Sequence, residues 1–199
     1  MNRIAAVAFA LCAVSAPAAL LAQTAPAPSG ATAEAPKPAA TPSHTFNDPA
    51  MSYTAPSDFL QVPMQAAPDP TQFEKPTLVA AFVKNYGKNS MQTVTITMES
   101  FDGNAEGYDQ VTENTMRTQA DGVFIRKVPT KLPNGMPAYW QDVTIGSGFN
   151  EIKRYQYVWA DGVRGVQLAV MARYGSIGED EAKKILADVS AVAYPKYRY

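Results

Sequence analysis

The sequence predicts an α+β fold, with a mostly antiparallel sheet of six or seven strands covered by two helices. Three observations predict this class. The segment Met91–Met98 alternates threonine with aliphatic residues, as a strand with one buried face does. Asp161-Gly162 lies between two apolar segments, and Asp-Gly is typical of a hairpin turn because it accepts positive φ. Two further segments have helical periodicity, one midway along the chain and one near its end.

The first half of the domain is expected to supply three strands and a helix. Short apolar runs predict strands at Phe59–Val62 and Leu78–Tyr86. The alternation in Met91–Met98 predicts that its aliphatic residues share the buried face. After a break at residues 102–104, Ala105–Gln119 is expected to be a helix. Its buried side is predicted to comprise Tyr108, Val111, Thr112, Thr115 and Met116.

The second half is expected to add hairpins and a closing helix. Turns at Asp121-Gly122 and Asn134-Gly135 introduce strands at residues 123–128 and 136–145. The strand after Asp161-Gly162 is apolar on both faces, so it belongs at the centre of a sheet covered on both sides. Ser176 and Glu179 have the spacing of a capping box. The helix they introduce has an apolar stripe of Ala182, Ile185, Leu186, Val189 and Val192, and Pro195 ends it.

The N-terminal segment predicts export. A positive start at Arg3 precedes an uncharged run that closes on small residues, so residues 1–22 are expected to be a secretory signal peptide cut near Ala22 or Ala25. Retention of this segment as a membrane anchor is the alternative. Residues 23–56 are rich in alanine and proline and are expected to form a disordered spacer. The remaining residues, 57–199, are expected to form a single domain.

Composition excludes several classes of function. The chain has 17 Lys and Arg against 18 Asp and Glu, with no basic run of the kind that nucleic acid requires. Its single cysteine, Cys12, is in the predicted signal peptide, and its single histidine, His44, is in the predicted spacer. The domain therefore lacks the residues for a disulfide, a thiolate nucleophile, a histidine base or a histidine- or cysteine-ligated metal. We expect a protein that is not an enzyme.

One segment has the spacing of a calcium-binding loop. Asp102, Asn104, Glu106 and Glu113 occupy the oxygen-donor positions of a twelve-residue loop, with Gly107 at its sharp turn. Helix capping is the alternative, because Asp102 or Asn104 can cap the helix that follows. Calcium is the one cofactor that the sequence leaves open.

An aromatic band offers a possible interaction surface. Strand alternation places Tyr155, Tyr157 and Trp159 on one face, next to a strand that carries Tyr139 and Trp140 on opposite faces. These rings either fill the core beneath a helix or form a platform for a sugar or a peptide.

The order of elements resembles the PsbP-like superfamily of extracytoplasmic domains. The local resemblance is in residues 134–139, in residues 155–162 leading into Val166-Gln167-Leu168, and in a closing helix that ends at Ser190. It covers residues 57–195. The tryptophan that often follows the opening strand in that family is absent, and Pro63-Met64 stands there instead. The resemblance implies an accessory or binding domain and no catalytic residue.

Together these features predict an exported, non-catalytic accessory or binding domain of the cell envelope. Its expected partner is an envelope protein or a peptide, with no nucleic acid and no membrane span after signal cleavage. Two alternatives stay open. One is a domain stabilised by calcium at Asp102–Glu113. The other is a hydrolase that acts on a glycan with carboxylates alone, which would need two of them facing each other across a cleft.

Overall fold

The computed structural model describes residues 44–64, 74–119, 123–146 and 151–194. The predicted signal peptide and the spacer as far as residue 43 lie outside these ranges. The elements, in chain order, are β1 (Thr45–Asp48), β2 (Met51–Thr54), β3 (Leu60–Gln61), β4 (Thr77–Lys84), β5 (Gln92–Ser100), α1 (Ala105–Gln119), β6 (Phe124–Lys131), β7 (Pro137–Ile145), β8 (Ile152–Ala160), β9 (Arg164–Arg173), α2 (Glu179–Ile185) and β10 (Val189–Ala191).

Seven strands form one antiparallel sheet in the order β3-β4-β5-β9-β8-β7-β6. This confirms the predicted α+β class. Gly162 adopts a φ of 92° in the turn between β8 and β9, which is the conformation that the Asp-Gly pair predicts. The strand β9 lies at the centre of the sheet and is buried on both faces, as its two apolar faces predict. Neither α1 nor α2 has the length and apolarity that crossing a membrane requires.

The apolar core lies on one face of this sheet, here called the core face. The aliphatic side chains of β5 point into it, as the alternation predicts: Val94, Ile96 and Met98 are fully buried. A smaller sheet of β1, β2 and β10 and the helix α2 pack over this face. Tyr53 of β2 contacts Phe82 edge to face at 5.6 Å and donates a hydrogen bond of 3.0 Å to the carbonyl of Ile185. The small sheet is therefore part of the core and not an appendage.

The small sheet corrects the predicted start of the domain. The sequence places a disordered spacer up to residue 56, but β1 and β2 lie within that segment, and Tyr53 is 0% exposed. Even His44, predicted to lie in the solvated spacer, is half-buried, and its carbonyl accepts a hydrogen bond from Ala55 N–H at 2.8 Å. Polar residues dominate these strands, so their composition gave little sign of burial.

A buried arginine joins the first strand to the central hairpin. Arg164 of β9 is 0% exposed, and its guanidinium donates to Asp48 at 2.7 and 2.9 Å and to Asp161 at 2.9 Å. The ring of Tyr194 lies 4.4 Å from the guanidinium carbon. Burying a charge is costly unless it is paired and hydrogen-bonded, and both conditions are met here.

The closing helix is shorter than predicted. Gly178, and not Ser176, is the N-cap of α2, and it makes no side-chain capping bond, so the predicted capping box is wrong. The helix ends at Ile185, and Val189–Ala191 forms β10, paired with β2. Val189 is buried as part of a strand, whereas Val192 is 56% exposed. The apolar spacing fits either structure over so few residues, and pairing with β2 decides between them.

The helix α1 has the predicted bounds but a different buried side. Tyr108, Thr112 and Met116 face the sheet as expected, whereas Val111 is exposed and Asp109 is fully buried. The helix covers the opposite face of the sheet, here called the polar face, over β7 and β8. Polar residues of that face form hydrogen bonds with Asp109. The helix is therefore turned about its axis relative to the orientation that the sequence predicts.

Candidate functional site

Three aromatic residues of the core face meet where β7 and β8 pair: Trp140 and Tyr155 are buried, and Tyr157 is half-buried. Trp140 stands opposite Tyr157 in the register of the two strands, so both side chains point to the same face. Their ring centroids are 4.9 Å apart in an edge-to-face arrangement. Tyr155 stacks on the other side of Trp140, with centroids 5.9 Å apart. The three rings form a continuous aromatic cluster.

A groove opens beside this cluster, here called the aromatic groove. It has a volume of about 120 Å³. Its lining combines the two rings with side chains of the edge strand β6 and of α2: Val128, Thr130, Trp140, Tyr157, Glu179 and Lys183. The groove is thus built from four elements, with an aromatic floor and a charged wall.

Opposite charges alternate along the rim of the groove. Lys183 Nζ lies 5.5 Å from the centre of the Trp140 ring and 2.9 Å from Glu179 Oε1, one turn earlier on α2. Glu179 also pairs with Arg126 of β6, which lies 3.3 Å from Asp142. Such a rim can orient a polar ligand and favours neither a strong anion nor a strong cation.

The charges on the rim hold each other in the ionised state. The ammonium of Lys183 holds the pKa of Glu179 below its ordinary value, and Glu179 in turn raises the pKa of Lys183. Burial raises the pKa of Tyr157, so its hydroxyl stays protonated near neutral pH and can donate a hydrogen bond. The groove therefore presents a fixed pattern of charge across the physiological range.

The structure separates the predicted interaction residues. Tyr155 is 5% exposed and Trp159 is fully buried, and of Tyr155, Tyr157 and Trp159 only Tyr157 lines the groove. The sequence did not indicate Glu179 or Lys183 as residues of a binding site, because their place beside Trp140 depends on how α2 packs. Their spacing of four residues on one helix was the available signal.

Two of the predicted calcium ligands, Glu106 and Glu113, lie within α1, whereas Asp102 and Asn104 lie just before it. Asn104 caps α1 by accepting the Gly107 N–H at 2.9 Å, as the capping alternative predicts. Glu113 lies nine residues further on, roughly 13 Å along the helix axis. It is bound to Arg117 at 2.9 Å and to Lys127 at 2.8 Å, and the Lys127 hydrogen bond lowers its pKa.

Asp102 and Glu106 are both exposed. No three His, Cys, Asp or Glu residues come together as a possible metal site within the described ranges. The geometry gives the calcium hypothesis no support.

A second hollow, of about 270 Å³, lies on the polar face between the start of α1 and the β6–β7 hairpin. Glu106 and Tyr139 belong to its lining. Glu106 is the one carboxylate there, as Glu179 is in the aromatic groove. Neither hollow presents the two facing carboxylates that glycoside hydrolysis requires.

Comparison with known proteins gives a likeness of fold. No model of a known family matches the chain, and no curated protein matches it. A crystal structure of LpqN, involved in cell envelope biogenesis of Mycobacterium tuberculosis, matches with a TM-score of 0.50 and 16% identity, over 76% of this chain and 90% of LpqN. A structure from Bacteroides thetaiotaomicron matches with a TM-score of 0.44 and 14% identity, over 76% of this chain and 49% of the other.

At 16% identity the LpqN likeness shows the fold alone. It agrees with the α+β architecture described above. The resemblance to the PsbP-like superfamily stays a prediction, since no family model matches.

Proposed function

We propose that this protein is an exported, non-catalytic accessory domain of the cell envelope that binds a protein or peptide partner through the aromatic groove. The groove carries this proposal because Trp140, which is 4% exposed, and the half-buried Tyr157 lie there beside the paired Glu179 and Lys183. Aromatic side chains are enriched at the centres of protein interfaces, and charged side chains at their rims. A mixed aromatic and charged wall suits a peptide, which presents both apolar side chains and backbone amides.

Two observations support export to the cell envelope. Residues 1–22 have the pattern of a secretory signal peptide. LpqN, which has a similar fold, is involved in cell envelope biogenesis. We expect N-terminal sequencing of protein recovered from the envelope fraction to begin just after Ala22 or Ala25. Recovery of the chain with Met1 intact would favour the alternative of a retained anchor.

Binding is favoured over catalysis by the chemistry of the residues present. The chain has one histidine and one cysteine, and neither is among the residues that line the groove. A general base must lie within hydrogen-bond reach of its target, with an acid or nucleophile placed beside it. The groove offers one carboxylate, Glu179, which is already paired with Lys183 and Arg126.

The proposal is tested with the chain from residue 23 onward, immobilised and exposed to detergent-solubilised envelope proteins. The same chain carrying Lys183→Glu reverses a charge on the groove wall. Lys184→Glu is the matched control, since Lys184 is exposed on the same helix but does not line the groove. Circular dichroism and thermal melting establish that all three proteins fold alike.

We expect a partner that is captured by the wild type and by Lys184→Glu and is lost with Lys183→Glu. With the purified partner, calorimetry is expected to show a loss of affinity of about tenfold or more, typical for a residue beside an interface hot spot. Equal affinity for all three proteins would exclude the groove as the binding site. Turnover of a substrate at the rate of an enzyme would overturn the non-catalytic proposal.

A further inference from the structure

The half of the polar face that α1 leaves open carries an uncharged, largely apolar surface, here called the open surface. The helix packs mainly over β7 and β8, and among the described residues no helix covers β3, β4 and β5 to a similar extent. The register of the strands brings these side chains to the same side of the sheet: Leu60, Leu78, Val83, Thr93, Thr97 and, from β9, Met171.

Large aliphatic side chains are unusually exposed on this surface. Leu60 is 58% exposed and Leu78 is 42% exposed. The flank of α1 beside them adds Val111, which is 39% exposed and follows Tyr108 by three residues. Tyr108 identifies that flank, because its hydroxyl reaches side chains of β5 and β9. An exposed apolar patch of this kind marks an interaction site.

Charged side chains are confined to the borders of the open surface. Within the described parts of β3, β4 and β5, Lys84 is on the side of the core face and pairs with Asp58 at 2.8 Å. Glu99 accepts a hydrogen bond from Tyr108 at the end next to α1, and Arg173 stands at the end of β9. A charged partner would find no complementary group here, whereas two copies of the surface meet without like charges opposing each other.

A second copy of the chain fits the space that α1 leaves. A twofold axis along β4 sets β3 of each copy over β5 of the other, in an isologous contact. Packed sheets lie about 10 Å apart, so α1 of one copy stands level with the sheet of the other, beside its strand β3. That strand is an edge of two residues, and the contact therefore also covers an open edge.

The size of the open surface sets the strength of such a contact. Three to four strands about 4.8 Å apart and roughly six residues long give a floor of about 350 Å², to which the flank of α1 adds about 100 Å². Two copies therefore bury about 900 Å², whereas specific stable interfaces bury about 1,200–2,000 Å². A contact of this size predicts a reversible dimer with a Kd on the order of 10–100 µM.

We propose that the open surface is the interface of a weak homodimer with its twofold axis along β4. The aromatic groove is on the core face beside β6, at the other end of the sheet, so both grooves stay accessible in the dimer. Two grooves on one particle strengthen binding to a partner with clustered sites through effective concentration. This bivalency rests on the proposed function, whereas the dimer itself does not.

Sedimentation velocity of the chain from residue 23 onward, over concentrations that span the expected Kd, tests the dimer. Leu60→Glu places an acidic group from each copy in the interface. Val192→Glu is the matched control, because Val192 is 56% exposed and follows β10, away from the open surface. Circular dichroism establishes that the variants fold alike.

Cross-linking locates the interface independently of Leu60→Glu. The only cysteine of the sequence is Cys12, so the chain from residue 23 has none, and a single introduced cysteine reports contact between copies. Leu78→Cys is on β4, at the proposed axis, and Val192→Cys is its control. Each is treated with a short bismaleimide.

We expect the wild type, Val192→Glu and the groove variant Lys183→Glu to pass from monomer to dimer as the concentration rises. Leu60→Glu should raise the Kd about tenfold or more. Leu78→Cys should be cross-linked to a dimer, and Val192→Cys should not. A wild type that stays monomeric, a dimer that Leu60→Glu leaves unchanged, or a dimer not cross-linked through Leu78→Cys would overturn the proposal. If Leu60→Glu does not fold, the cross-linking decides.

Discussion

Single residues connect the seven-stranded sheet to the elements that pack against it, and Arg164 is the clearest case. Its guanidinium is the only cation near two buried carboxylates, Asp48 and Asp161, within the described residues. It thereby links the N-terminal strand β1 to the central strand β9. The link spans 116 positions in the sequence, so no local pattern predicts it.

Replacing Arg164 with glutamine should leave both carboxylates buried without a counter-charge. We expect Arg164→Gln to lower the free energy of unfolding by about 3–5 kcal/mol, as removal of one member of a buried ion pair does. Denaturant unfolding measures the change. Arg173→Gln, at an exposed site, should lie within about 0.5 kcal/mol of the wild type. A similar small change for Arg164→Gln would show that water solvates the site.

Gly165 is a second residue whose identity follows from packing against another element. A Cβ atom at this position would lie 2.1 Å from the ring of Tyr108, so no side chain fits beneath α1 there. The close approach lets Tyr108 OH donate to Glu99 at 2.8 Å and accept from Gln167 at 3.0 Å. The glycine is therefore required by the helix that covers it and not by its own backbone conformation.

We expect Gly165→Ala to destabilise the protein by about 1–3 kcal/mol, because the tyrosine ring must move and its hydrogen bonds weaken. A double-mutant cycle identifies the cause. In a Tyr108→Ala background the same Gly165→Ala change should cost much less, since the ring is gone. Additive effects would mean that the alanine strains β9 itself.

At the scale of elements, β6 is an edge strand with a built-in protection against pairing. Leu132 N–H donates to the Met136 carbonyl at 2.8 Å, and positions that face the neighbour alternate along an antiparallel strand. Thr130 and Val128 therefore direct their backbone groups to β7, whereas Pro129 directs its backbone to the open edge. The missing N–H of proline falls on the exposed side, where it discourages addition of another strand.

Restoring that N–H should make the edge competent for pairing. We expect Pro129→Val to increase self-association, measured by sedimentation velocity at several protein concentrations. Thr130→Val is the control, because it adds the same side chain at a position whose backbone already faces β7. If both variants associate equally, hydrophobicity and not the backbone donor is responsible.

At the scale of the whole molecule, the domain depends on strands that precede its predicted start. A chain that begins at Ser57 lacks β1 and β2, and with them Met51, Tyr53 and the Asp48 partner of Arg164. Burial of Met51 and Tyr53 alone is worth roughly 3–6 kcal/mol. This is a large fraction of the stability of an ordinary domain.

We therefore expect the chain from residue 57 to unfold at a much lower denaturant concentration than the chain from residue 42, or not to fold cooperatively. Urea unfolding followed by tryptophan fluorescence compares the two. Equal midpoints would restore residue 57 as the boundary of the domain.

Two carboxylates should affect the pH dependence of global stability in opposite directions. Burial raises the pKa of Glu99, so the folded state binds its proton more tightly and loses stability as pH rises above the ordinary pKa of 4.5. Lys127 and Arg117 lower the pKa of Glu113. Ionised Glu113 therefore stabilises the folded state above pH 4.5, and this contribution is lost as the pH falls through the pKa that Glu113 has in the folded state.

We expect Glu99→Gln to be more stable than the wild type at neutral pH and to lose this advantage below about pH 4.5. Glu113→Gln should be less stable at neutral pH and approach the wild type in acid. Unfolding curves from pH 3 to pH 8 measure both differences. Identical pH profiles for the two variants would contradict the opposite environments assigned to these residues.

The sequence by itself determined the class of fold, the central place of β9 and the bounds of α1. These follow from local physics: side-chain alternation, the positive φ of a glycine turn and helical periodicity act over a few neighbouring residues. The tertiary structure alone decided that β1 and β2 belong to the core, that Val189–Ala191 is a strand, and that Trp140, Tyr157 and Lys183 meet. Those features depend on contacts between segments that are distant in sequence. For such segments the local pattern leaves several conformations nearly equal in energy, and pairing with a partner stabilises one of them.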